Sequence, residues 1–224
     1  MRELAPTFEE AVTRVRAALA ARPPRTFEVE GFRRAGVLVP VLSRPGGPTL
    51  LFTRRTERLP HHAGEISFPG GGAAPDASAE DAALREAEAV VGLPPGAVEL
   101  LGPLDAVPSS VARYVVSPFA AAVPSPPQVF VHAAAEVSEP FEIPLARLLD
   151  PTIRRAALWD PARLPPELSR VVLAEAALHE EVDPGTGHWR VWSFHADPAH
   201  VVWGLTARIL VDLLDRAFPP ARGP

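Results

Sequence analysis

One stretch constrains this chain more than any other: LLFTRRTERLPHHAGEISFPGGGAAPDASAEDAALREAEAVVGL, residues 50–93. It opens as an apolar strand-like run, reaches Phe68-Pro69-Gly70-Gly71, and ends in an alanine-rich helical pattern. Gly70 and Gly71 carry no Cβ, so a second backbone can approach closely there, or the chain can adopt conformations closed to other residues. Residues 78–91 read as a helix. Ser78 and Asp81 form the S-x-x-D variant of a capping box. Gly92 suits a left-handed C-terminal position, and Pro94-Pro95 forbid continuation. A turn that feeds a helix N-terminus can also receive an anionic oxygen. A Gly-Gly pair alone is more often only a turn.

The remaining pattern surrounds this unit with strands and two further helices. Residues 7–21 read as a helix, with Thr7 as N-cap and Glu10 completing a capping box; Phe8, Val12, Val15 and Leu19 give it an apolar stripe. Strand patterns follow at 35–43, 49–55, 98–107, 113–123, 128–134 and 188–196. Residues 136–150 read as a strand turning into a short helix at Pro144, and residues 202–218 as a final helix. We expect one domain over 1–224, with 1–30 as an N-terminal helix and linker and 151–187 as a Pro-rich irregular insertion. Helices packed on the faces of a mixed sheet give an α+β class.

Composition removes several alternatives. All 22 cationic side chains are Arg, and the formal net charge is −5. No basic stripe with interleaved aromatics points to nucleic acid. There is no Cys, hence no disulfide from which to read a redox compartment. No apolar run reaches the roughly 18 residues of a membrane helix. The amphipathic, acidic N-terminus is unlike a signal peptide, so a cytoplasmic protein without membrane partners is expected.

Laid against known patterns, the stretch resembles the Nudix hydrolase family, whose box is G-x5-E-x7-R-E-U-x-E-E-x-G-U, with U a bulky apolar residue. Gly71 is the first Gly, Arg85-Glu86 the R-E pair, Gly92 the last Gly and Leu93 the final U. The residues before the box resemble the coenzyme A diphosphatase branch: Leu50-Leu51, Thr53, Arg55, Gly64 and Phe68-Pro69-Gly70-Gly71 carry its signature. Thr56 and Pro60 depart from it. Later segments continue the likeness, which spans roughly residues 35–215. The resemblance implies a Nudix-type α/β/α sandwich around a mixed β-sheet. It also implies cleavage of a nucleoside diphosphate-linked substrate, a nucleotide or coenzyme A derivative, with Mg²⁺ or Mn²⁺ in an active member.

The departures are equally specific. The box Glu after x5 falls on Ala77, the E-E pair on Ala89 and Val90, and the U after R-E on Ala87. Of the box glutamates only Glu86 remains. Positions 86, 89 and 90 are i, i+3 and i+4, the spacing that brings side chains to one helix face. Divalent cations need several oxygen ligands converging at one point. Glu88 lies about 200° round the helix from Glu86 and cannot substitute. Its neighbours Asp81 and Arg85 form with it a surface ladder at i, i+4 and i+7. By resemblance, Arg85 and Glu86 are the catalytic candidates. Arg55, His62, Gly70 and Gly71 are the substrate-binding candidates. Glu86 and the Gly70 carbonyl are the metal ligands, with Glu65 and Asp76 as secondary candidates and Glu80 near the first turn. We expect family turnover to be very slow or absent, with the alternative of a non-catalytic nucleotide- or coenzyme A-binding module to which no metal is bound.

Other residues carry bland expectations. His179, His188, His195 and His200 lack zinc spacing and are expected exposed. Ser67 has no nucleophile-elbow setting. Trp189, Trp192 and Trp203 suit packing, either in the core or in a homodimer.

Overall fold

The computed structural model describes residues 5–58, 63–109, 112–163, 182–183 and 185–219. Helix α1 spans Phe8–Ala21, with the Thr7–Glu10 capping box formed in both directions. Strands β1 (Arg33–Leu42), β2 (Thr49–Arg55), β3 (Ile66–Ser67) and β4 (Gly70–Gly72) follow, then α2 (Ala79–Val91). Next come β5 (Glu99–Pro103), β6 (Val107–Ser109), β7 (Tyr114–Val123), β8 (Val137–Pro144) and the short α3 (Leu145–Leu148). Strands β9 (Arg154–Trp159), β10 (Trp189–His195) and β11 (Val201–Trp203) precede α4 (Gly204–Ala217).

The main sheet is mixed. Strand β1 runs parallel to β7 along its whole length and antiparallel to β2 and β4. Its central strands are buried on both faces over most of their length, so β1, β2 and β7 carry apolar runs rather than strict alternation. The alternation instead divides one core from another. Ala35, Val39, Leu50, Phe52, Val116 and Ala120 join the cluster beneath α1 and α4. Leu38, Leu42, Leu51, Phe119, Ala121 and Val123 join the cluster beneath α2. Helices on both faces of this sheet make the α/β/α sandwich of a Nudix-type α+β fold. A second, three-stranded antiparallel sheet is ordered β11-β10-β9.

Helix α2 sits unusually low on the sheet. A Cβ built on Gly36 would lie 1.7 Å from the Ala79 carbonyl oxygen and 2.9 Å from the Ala83 nitrogen. Gly36 pairs across the ladder with Gly71, where a Cβ would lie 2.6 Å from Glu86 Oε2. On the helix side, Ala82, Ala83 and Ala87 are fully buried. Small residues on both partners set the spacing.

The far side is held by charge. Arg216 on α4 is almost buried and donates to the carbonyls of Arg22 (2.7 Å) and Ala18 (3.4 Å), closing the C-terminus of α1. The same guanidinium pairs with Asp212 (3.4 Å) and Asp105 (3.6 Å), and Arg22 reaches Asp105 at 2.9 Å. Burial alone would raise the Asp105 pKa. The Arg22 hydrogen bond, the Arg25 backbone N–H and the Arg22 and Arg216 charges outweigh it and hold the carboxyl below its usual value.

Four expectations change. The 98–107 run divides into β5 and β6, with residues 104–106 in neither strand. Residues 128–134 form no strand; Val129 and Val131 are exposed and only Phe130 turns inward, so the alternation is real but has no pairing partner. The 151–187 segment, expected irregular, contains β9 and a turn of 3₁₀ helix at Pro161–Arg163; residues 164–181 and 184 lie outside the described residues. The 202–218 pattern divides into the end of β11 and α4, because Gly204 takes φ +62° between them.

Two outcomes follow. Gly36→Ala should lower unfolding free energy by about 3 kcal/mol, since the added methyl meets backbone that cannot rotate away, measured by denaturant titration. Asp105 has a depressed pKa, so its stabilisation is complete above the unfolded value near 3.9 and is lost as pH falls through the lower folded value. Unfolding free energy measured below pH ~4 should therefore fall less steeply in Asp105→Asn than in the wild type.

Candidate active site

Strand β4 and helix α2 form the two walls of the candidate site. Ser78 Oγ accepts from the Asp81 N–H at 2.9 Å and donates to its carboxylate at 2.6 Å, fixing where α2 begins. Gly92 ends it at φ +68°. Between these caps the Glu86 side chain lies flat on Gly71 and is about one quarter exposed. Arg85 donates to Glu86 Oε1 at 2.9 Å and to the Gly72 carbonyl at 3.0 Å. The R-E pair thus ties the helix to β4, and Gly71 forms the floor under the acid.

The helix face expected to carry three ligands is divided. Ala83, Ala87, Val90 and Val91 form one stripe, at i, i+4, i+7 and i+8, inside the α2-side core. Val90 is 7% exposed, and its carbonyl accepts from the Ala133 N–H at 3.1 Å. Ala89 faces outward and is exposed. Positions 86, 89 and 90 occupy an arc of roughly 100°, with 86 in the middle. The sheet surface cuts through that arc: 90 falls inside the core, 89 in solvent, and 86 on the boundary. The three side chains therefore do not open into one common cavity.

The other candidates are spread around this pair. Arg55 is half-buried at the end of β2, and pairs across the ladder with Val137 of the α2-side core. Its Nε is buried without a hydrogen-bond partner among the described residues. Arg54 points elsewhere, donating to the Ala199 carbonyl at 2.7 Å and lying 3.5 Å from Glu139. Glu65 is half-buried, and its carbonyl accepts from the Arg55 N–H at 2.9 Å. Asp76 and Glu80 are exposed. The loop holding Asp76 and Ala77 is pinned by Arg34, which donates to the carbonyls of Pro75 (2.9 Å) and Ala77 (3.1 Å). His62 lies outside the described residues.

Divalent cations would need several of these oxygens at one point. Among the described residues no group of three or more His, Cys, Asp or Glu side chains is placed to hold a metal ion. Glu86 is already engaged by Arg85, and the positions on its face of the helix, Ala82, Ala83, Ala89 and Val90, supply no further acid. The residues here do not fit a cluster of two or three cations.

Sequence reasoning missed one polar cluster. His200, expected exposed, is stacked 4.1 Å from Phe141 and bonded through Nδ1 to Asp197 at 2.7 Å. That bond is the main reason the Asp197 carboxyl lies below its ordinary value. His188 and His195 are likewise partly buried, and His179 lies outside the described residues. The D-x-x-H spacing at 197–200 was the available signal. Among the tryptophans, Trp159 and Trp189 meet edge-to-face at 6.1 Å, while Trp203 is 45% exposed.

Comparison with known proteins agrees with the fold. The NUDIX domain family matches residues 32–181. The chain is 37% identical over 195 residues, 86% of each chain, to a protein of Salmonella paratyphi B named "Uncharacterized Nudix hydrolase NudL", and equally to that of Salmonella typhimurium. Among solved structures it is similar to the MutT protein of Methanosarcina mazei Go1, at 19% identity, 55% of this chain, 84% of that one and TM-score 0.44. This chain belongs to the Nudix family.

No helix of the described residues is long and apolar enough to cross a membrane. The divided helix face gives a direct test. Val90→Glu should destabilise by about 3 kcal/mol, because it places a carboxylate in the core. Ala89→Glu should stay within about 0.5 kcal/mol of wild type. Thermal and chemical denaturation of both variants measures the difference.

Proposed function

We propose that this protein acts on a nucleoside diphosphate-linked small molecule of the coenzyme A type, as a Nudix hydrolase whose turnover is very slow or lost. One observation carries the reading. Glu86 remains in place over Gly71, held by Arg85, while the positions that would complete a carboxylate set hold Ala77, Ala89 and Val90. Each ligand removed from a diphosphate-cleaving centre takes transition-state stabilisation with it, and about 1.4 kcal/mol is tenfold in rate. Arg55, half-buried, opposite Val137 of the α2-side core and with an Nε that has no hydrogen-bond partner among the described residues, supports a phosphate contact.

A second reading is a non-catalytic binding module on the same fold. It is favoured by Val90, whose side chain has become part of the core rather than merely a missing ligand.

Incubation of pure protein with coenzyme A, ADP-ribose and NADH in Mg²⁺ or Mn²⁺ separates the two readings. The first expects slow product formation that Glu86→Gln reduces at least about tenfold. Turnover unchanged by Glu86→Gln rules out this site as its source. The second expects a ligand-dependent rise in melting temperature without product.

A further inference from the structure

We infer that His200 is a proton-operated clip between the β10–β11 hairpin and the main sheet, closed when its imidazole is charged and loosened when it is neutral. The hairpin turn is built on Asp197. Its Oδ1 accepts from the Ala199 N–H at 2.8 Å and the His200 N–H at 3.0 Å, and the Ala196 N–H donates to the His200 carbonyl at 3.1 Å. This turn presents the His200 ring to β8, where it stacks on Phe141 at 4.1 Å.

The two ring nitrogens meet different surroundings. A carboxylate can only accept, so the Nδ1 bonded to Asp197 Oδ2 at 2.7 Å carries the hydrogen. In a neutral ring Nε2 is then a bare lone pair. It is buried, has no hydrogen-bond partner among the described residues, and lies 3.8 Å from Glu139 Oε2 on β8. An acceptor thus faces an acceptor across that gap. One proton turns the pair into a cation facing a carboxylate.

The charged groups around the ring act in the same sense. Asp197 and Glu139 are the two acids beside it. Arg54, on β2, lies 3.5 Å from Glu139 and donates to the Ala199 carbonyl at 2.7 Å. Arg147, on α3, donates to the Ala196 carbonyl at 3.1 Å and is paired with Asp150 at 2.8 Å. His195, on β10, is turned to the Ser193 hydroxyl at 3.1 Å. Strands β3 and β11 carry no ionisable side chain. Arg54 therefore offsets one of the two acids, and a charged His200 offsets the other. With a neutral ring, one carboxylate is left without a cation beside a side chain only 19% exposed. Arg54 and Arg147 still hold the turn by its carbonyls, so loss of the proton loosens the hairpin without releasing it. Imidazole changes charge between about pH 5 and 8. The closed contact favours the proton, so it is complete below that range and is lost as pH rises through it.

Hydrogen exchange on the full chain, corrected for the intrinsic pH dependence of amide exchange, tests this at about pH 5.5 and about pH 8. Protection across residues 196–203 should be at least about threefold greater at the lower pH. His200→Gln should abolish that difference and Glu139→Gln should reduce it, while protection of α2 stays equal at both pH values. Equal protection of 196–203 at both pH values in the wild type, greater protection at the higher pH, a difference shared equally by α2, or one that persists in His200→Gln overturns the clip. Should His200→Gln fail to fold, Glu139→Gln decides, and an undiminished pH difference in that variant overturns the clip as well.

Discussion

Everything around the candidate site depends on how close α2 lies to the sheet. Two glycines, Gly36 and Gly71, face each other across the β1–β4 ladder and both point at the helix. Neither position has room for a methyl group. The helix answers with Ala79, Ala83 and Ala87 along the facing stripe. This spacing puts the Glu86 carboxylate directly on β4. It also brings Arg85 within reach of both that acid and the Gly72 carbonyl. A larger residue on either surface would lift the helix and separate Arg85 from the Gly72 carbonyl.

The same spacing explains why three positions on one helix face have different fates. A helix this low has little depth between solvent and core, so about 100° of arc crosses from one to the other. Glu86 tolerates the boundary because a charged partner and a glycine floor meet it there. Position 90 lies one step inward, where a carboxylate would need an ion or a base to compensate its desolvation. Valine needs neither and packs with the α2-side core. Position 89 lies one step outward, where alanine exposes little.

Much of this architecture was legible in the sequence. The α1 capping box, the Ser78 cap, the Gly92 terminus and the strand runs 35–43, 49–55 and 113–123 all follow local rules of capping and apolar run length, and the structure forms them. The R-E pair and the glycine floor were legible through the family likeness. What was not legible depends on tertiary neighbours. The 128–134 run alternates like a strand, but strand formation needs a partner edge that sequence does not supply. The burial of Val90 apart from Ala89 depends on where the sheet cuts the helix, which periodicity leaves open. His200 lay in a D-x-x-H pattern, yet its stacking partner Phe141 lies on β8, far away in the chain.

The Arg216 contact has a consequence for how the molecule is made. The carbonyl of Arg22 is closed by a residue 194 positions later. Helix α1 leaves the ribosome well before α4, with Ala11, Val12 and Val15 uncovered. Its final turn acquires its cap only after α4 has been made, and pairings this distant in sequence are slow to form. Helices α1 and α4 thus behave as one late-assembling unit around a sheet that can pair earlier, and a chaperone with affinity for nascent apolar helices would find its substrate in α1.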